Sequence, residues 1–200
     1  MKLYDDPISG NGYKVRLLLA QLGLPYAYVA LDIQRGETRT SEFLAKNANG
    51  KIPVLELDDG ACLPESNAIL WYLAEGTPFL PGERLARARV LQWLCFEQYS
   101  HEPHIATLRF WAHAGLLEER AAWVPEKRRN GAAALAVMEQ HLATRPFFAA
   151  GRYTIADVAL YAYTHVAGEG GFDLSPYPAV RAWLARVREQ PGHVAIDTRP

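Results

Sequence analysis

Two hundred residues, half of them hydrophobic, can bury a substantial core in one large domain or two small ones. A formal net charge of −1 with no long single-sign run argues against a nucleic-acid binder, which carries a basic surplus on one face. No apolar run approaches the roughly 20 residues of a membrane span, and the opening MKLYDD carries acids by position 5, so no membrane segment or secretory signal is expected and a cytoplasmic protein is the default.

Residues 2–4 read as a short first strand and residues 7–12 as a loop. Val15, Leu18, Leu19 and Leu22 then fall at i, i+3, i+4 and i+7, the apolar stripe of a helix that Gly23 and Pro25 stop. Residues 26–31 form the second strand, and strand, helix and strand of this length make a right-handed crossover joining a parallel pair. Ser41 is placed to cap a short helix over residues 42–46. The stretch NGKIPVLELDDGACLPESNAI, residues 49–69, continues as a turn, an Ile-Pro step, two short strands joined at Asp58, Asp59 and Gly60, and a helix beginning at Ser66. That helix turns Ile69, Leu70 and Leu73 inward, and βαβ followed by ββα is a small three-layer α/β domain over residues 1–76.

TPFLPGE, residues 77–83, has the texture of a linker, and residues 84–200 read as all-helical. A long helix over residues 86–114 is expected to kink at Pro103, and another begins near Pro125, whose ring suits a first helical turn. Leu135, Met138 and Leu142 are the buried stripe of the latter. Thr154 and Asp157 have capping-box spacing, with Tyr153 and Val158 as the staple, so they mark a helix start and not a catalytic pair. Val180, Trp183, Leu184 and Val187 repeat the helical stripe in a last helix that Pro191 ends.

Residues 49–69 carry the chemistry. An Ile-Pro step before a strand presents backbone groups to a ligand, and Glu65 and Ser66 stand where a helix N-terminus offers free N–H donors. Together they suit a small, extended, charged peptide. Taken alone, Ser9 and Asn11 read as a loop and a helix cap, Lys51 as a surface lysine, and Glu65 with Ser66 as a helix start. Cys62 and Cys95 fit neither a CxxC redox pair nor a zinc site and read as packed thiols. HEPH, residues 101–104, is not the HExxH metal motif, so no metal is expected.

PISGNGYKV after the first strand, NGKIPVL, LPESNAILWYLAE, the proline-containing linker and GRYTIADVALY occur in an order and spacing that resemble a cytosolic glutathione transferase over essentially the full chain. The likeness is to bacterial theta-like or nu-like branches that use a hydroxyl residue near the N-terminus. It implies a thioredoxin-like α/β domain joined to an all-α domain, glutathione as co-substrate, and a homodimer. By that resemblance Ser9 contacts the glutathione sulfur and Asn11 is a second sulfur-side contact, with Tyr13 the further candidate. Lys51 meets the glycyl carboxylate, Ile52 pairs through its backbone with the cysteinyl unit ahead of a cis Pro53, and Glu65 and Ser66 hold the γ-glutamyl end. Tyr99, Arg109 and Trp111, with Phe110, either line a second-substrate pocket or belong to the core. With no cysteine near Ser9, a mixed-disulfide chemistry on the protein is not implied. The activity implied is conjugation of glutathione to a small electrophile, with glutathione-dependent disulfide or peroxide reduction, or a non-catalytic binding module, as the alternatives.

Overall fold

A computed structural model describes residues 1–198 and divides the chain into two units, Met1–Glu75 joined by the C-terminal residues from Pro191, and Gly76–Gln190.

The first unit is built on a four-stranded sheet in the order β2-β1-β3-β4, with β1 at Lys2–Asp5, β2 at Ala27–Ala30, β3 at Val54–Glu56 and β4 at Cys62–Pro64. β1 runs parallel to β2 and antiparallel to β3, and β3 pairs antiparallel with β4. The parallel pair is joined by helix α1, Gly10–Leu22, which begins inside the stretch read as a loop. Two glycines in its first turn are weak helix formers, but packing demands the second of them. A Cβ on Gly12 would lie 1.6 Å from Asp5 Oδ1, so α1 rests directly on the buried Asp5 carboxyl. Gly23 closes the helix in the left-handed conformation at φ 65°, and the Leu24 N–H reaches back to Leu19 O. Gly12→Ala is therefore expected to destabilise the protein by about 2 kcal/mol, read as a lowered denaturant midpoint with an unchanged slope; a midpoint within error of the parent would refute the contact.

Helix α2, Ser41–Lys46, is capped by Thr40, whose Oγ1 accepts from Phe43 N–H at 3.2 Å, so the cap lies one residue ahead of Ser41. Helix α3 spans Ser66–Ala74 and packs on α1, burying Ile69, Leu70 and Leu73. The C-terminal residues return to α1. The Tyr13 hydroxyl donates to Val194 O at 2.7 Å, and Arg16 Nη1 donates to Ile196 O and Thr198 O at 2.9 and 3.2 Å.

The second unit is helical: α4 at Arg84–Phe96, α5 at Glu102–His113, α6 at Val124–Leu142, α7 at Ile155–Thr164 and α8 at Pro178–Arg188. Glu83 caps α4 by accepting from Leu85 and Ala86 N–H, both at 2.7 Å. The expected kink is a π-helical turn over Glu97–His101. Pro103 has no N–H to return to the Tyr99 carbonyl four residues earlier, and the turn ahead of it widens so that Glu102 N–H bonds Glu97 O. The core centres on Trp183, fully buried, with the Phe148 and Tyr161 rings edge-on to it at 5.1 and 6.1 Å. Trp183 Nε1–H donates to Asp157 Oδ1 at 3.0 Å, beneath the Thr154–Asp157 capping box that starts α7. Among the described residues no helix is long and apolar enough to cross a membrane.

Candidate functional site

Three backbone ends of the first unit carry the residues singled out above: the start of α1, the start of α3 and the chain leading into β3.

Ser9 is the N-cap of α1, in extended conformation, and its Oγ accepts from Gly12 N–H at 3.2 Å. The hydroxyl proton has no protein acceptor among the described residues, so the O–H is open to a ligand. Asp6 shapes the approach to it. The Asp6 backbone oxygen accepts from Ser9 N–H at 2.9 Å, and its carboxylate accepts from Ile8 and Ile33 N–H at 3.1 and 3.4 Å. Deeper, burial pushes the Asp5 carboxyl up to about 7 against the opposing pull of Arg16, whose Nε donates to Oδ2 at 3.1 Å. Tyr13 is fully buried with its hydroxyl committed to Val194 O, which removes it as a sulfur donor in this arrangement.

Asn11 and Ser66 meet. Ser66 Oγ–H donates to Asn11 Oδ1 at 3.2 Å, tying the start of α1 to the start of α3. Neither helix has an acid within its own first turn, although the Asp5 carboxyl packs against Gly12 of α1 and Glu65 stands at the N-cap of α3. Glu65 stands just ahead of α3 at φ 71° and ψ 109°, a left-handed conformation that costs a non-glycine residue of order 1–3 kcal/mol. Its side chain is exposed while Ser66 is buried.

The Ile52–Pro53 peptide is cis. On both flanks the β3 ladder ends at Val54, opposite Tyr4 and Pro64, so Ile52 lies beyond the paired part of the strand. An extended ligand can add itself there as a further strand. The preceding turn is held by Asn47, whose Nδ2 donates to Lys51 O at 2.7 Å and whose Oδ1 accepts from Asn49 N–H at 3.0 Å. Arg39 braces it from outside, donating to Asn49 O at 3.2 Å. Lys51 is exposed on this turn.

The second-substrate candidates have different surroundings within the helical unit. Tyr99 is 86% exposed in the π turn, Trp111 is buried with the Arg120 guanidinium 5.4 Å over its ring, and Arg109 is buried with its Nε donating to Glu169 at 2.7 Å. His113 shares the same Glu169 oxygen at 2.7 Å. His101 is buried with Nε2 at 2.9 Å from Thr164 Oγ1. No group of three or more His, Cys, Asp or Glu among the described residues could hold a metal ion. Sequence reasoning missed Asn47, Asp6 and Arg39. Only Asn47 left a signal, as the start of an Asn-x-Asn-Gly turn.

A sheet ordered β2-β1-β3-β4 with a cis Ile-Pro step ahead of β3, followed by an all-helical unit, defines a glutathione S-transferase architecture. Residues 1–75 match the glutathione S-transferase N-terminal domain family, and residues 121–186 match the C-terminal domain family. The crystal structure of a glutathione S-transferase from Pseudomonas fluorescens Pf-5 is 57% identical, superposes with a TM-score of 0.95, and the match covers 98% of each chain. The disulfide-bond oxidoreductase YfcG of Escherichia coli K12 is 32% identical over 197 residues, covering 94% of this chain and 90% of YfcG. The glutathione transferase URE2P6 of Phanerochaete chrysosporium, solved with oxidized glutathione, is 28% identical with a TM-score of 0.86, over 96% of this chain and 91% of that one. The chain belongs to the glutathione S-transferase family.

Proposed function

We propose that this protein binds glutathione along the first unit and uses its thiolate against a small electrophile. The observation that carries the reading is the Ser66–Asn11 hydrogen bond, because it brings two helix N-termini together on a unit whose β3 lead-in is unpaired. In this reading the Ile52 backbone pairs with the cysteinyl unit, Glu65 takes the γ-glutamyl amine, Ser66 and the α3 N-terminus take its carboxylate, and Lys51 meets the glycyl carboxylate. The sulfur then lies at Ser9 and the start of α1. A free thiol titrates near 8.5, so only a few per cent is thiolate at neutral pH. The Ser9 O–H and the α1 dipole stabilise the anion, and no protein base is required. Proximity to the electrophile supplies the rest of the rate. The homodimer implied by the family resemblance is checked by sedimentation.

Glutathione-dependent disulfide reduction is the second reading, favoured by the 32% identity to YfcG. It asks for the same thiolate and needs no protein cysteine. Purified protein assayed with a chlorinated aromatic and with a small disulfide ranks the two; activity with neither would count against both. Glu65→Ala is expected to raise the glutathione Kd about tenfold, through loss of one charge-assisted contact, with calorimetry as the check. An unchanged Kd would remove Glu65 from the site.

A further inference from the structure

We infer that Lys14 is a positioning residue of the glutathione site, fixing the Ser66 hydroxyl as a donor to the ligand's γ-glutamyl carboxylate and setting a cation behind it. The inference rests on the glutathione reading above.

Lys14 lies on α1, one turn beyond Asn11, and its side chain has no solvent exposure. Its Nζ donates to Ser66 Oγ at 3.3 Å. A lysine ammonium has three donors and no acceptor, so Ser66 Oγ must accept from it. The single Ser66 proton must then leave in another direction, and it goes to Asn11 Oδ1. The chain Lys14 to Ser66 to Asn11 thus has one permitted polarity. A carboxylate arriving at the α3 N-terminus is a stronger acceptor than the Asn11 amide oxygen, and it takes over the proton of a hydroxyl already polarised by the ammonium on its far side. Lysine is among the residues least often fully buried, and taking its charge out of water is costly. An anion bound one hydroxyl away adds a favourable charge interaction to those the ammonium already makes, which an apolar side chain at this position on α1 could not provide.

Three ligands separate this role from packing: glutathione, glutaryl-cysteinylglycine, which keeps the carboxylate and lacks the amine, and 4-aminobutyryl-cysteinylglycine, which keeps the amine and lacks the carboxylate. Lys14→Met is expected to raise the calorimetric Kd at least tenfold for the first two and less than twofold for the third. Lys14→Arg, which keeps a cation, should recover part of the loss. Equal losses for all three ligands, or no loss, would overturn the role of Lys14 alone. Should Lys14→Met fail to fold, the parent protein decides the matter by side-chain NMR of ¹⁵N-labelled lysine. The Lys14 resonance should move on saturation with glutathione or the glutaryl analogue and stay with the aminobutyryl one, and identical responses to the two analogues would overturn the inference. No glutathione binding by the parent protein at millimolar ligand would overturn the glutathione reading and the role of Lys14 with it.

Discussion

Asp157→Ala is expected to cost about 4 kcal/mol of unfolding free energy, among the largest losses any single substitution in this chain would cause. The carboxylate is fully buried and collects four donors: Phe148 N–H at 3.1 Å and Trp183 Nε1–H at 3.0 Å on Oδ1, and Thr154 N–H at 2.9 Å and Thr154 Oγ1–H at 3.1 Å on Oδ2. Alanine would strand all four, among them the indole at the centre of the helical core, and would also remove the N3 arm of the α7 capping box. Asp157→Asn keeps one acceptor but turns an amide N–H₂ toward groups that are themselves donors, so it should fall between parent and alanine.

The same group sets a pH dependence. Burial pushes Asp157 from 3.8 up to about 7, against the opposing pull of its donors, and Asp5 moves likewise, with Arg16 opposing. Once protonated, Asp157 can still pair with Thr154 Oγ1, the one partner able to accept. An acid whose folded pKa lies above its unfolded value adds stability that is complete below the unfolded value and lost as pH climbs through the folded one. Unfolding free energy contributed by these two aspartates should therefore fall between pH 4 and 7, and the fall should be shallower in Asp157→Asn. Denaturant titrations at several pH values test this. Parallel curves for parent and variant would show that Asp157 does not titrate in that window.

These predictions draw on residues that the sequence made legible to different degrees. Thr154 and Asp157 were readable as a helix start, because a capping box is a local pattern three residues long. The helix beginning at Ser66 and the strand pair around Asp58–Asp59–Gly60 were legible for the same reason. The indole that reaches Asp157 from position 183 was not, since contact across 26 residues leaves no periodic trace. At α1 the local signal pointed the wrong way: Gly10-Asn11-Gly12 reads as loop, and only the Asp5 carboxyl lying where a Cβ would go explains a glycine inside the helix. The π turn left Pro103 as its only sign, because one inserted residue does not disturb an apolar stripe enough to be read. Lys14 occupies a polar slot of the α1 pattern, and nothing in one dimension says that this slot is enclosed. The return of residues 191–198 to α1 is likewise carried by backbone carbonyls accepting from Tyr13 and Arg16, groups that every sequence has.

The sharpest test of the chemistry is Ser9→Ala, which should lower turnover at pH 7 by about 10- to 100-fold while the glutathione Kd changes by less than about twofold. Ser9 has two jobs that the substitution separates. Its Oγ lone pair caps α1 by accepting from Gly12 N–H, and alanine should cost about 1 kcal/mol of stability for that loss. Its proton is the donor that the cap leaves free, and in the proposed mechanism it goes to the sulfur anion. Removing one charge-assisted hydrogen bond raises the thiol pKa by about one to two units, at 1.36 kcal/mol each. Thiolate absorbance of bound glutathione, followed against pH, reads that shift directly. The stabilised anion has the lower pKa, so parent and variant differ most below the variant's pKa, and the gap in turnover should close as pH rises above it. Ser9→Thr, which keeps cap and donor, should restore most of the rate. A variant that loses stability but keeps full turnover and an unmoved thiol titration would reduce Ser9 to a helix cap and leave Asn11 as the sulfur-side donor.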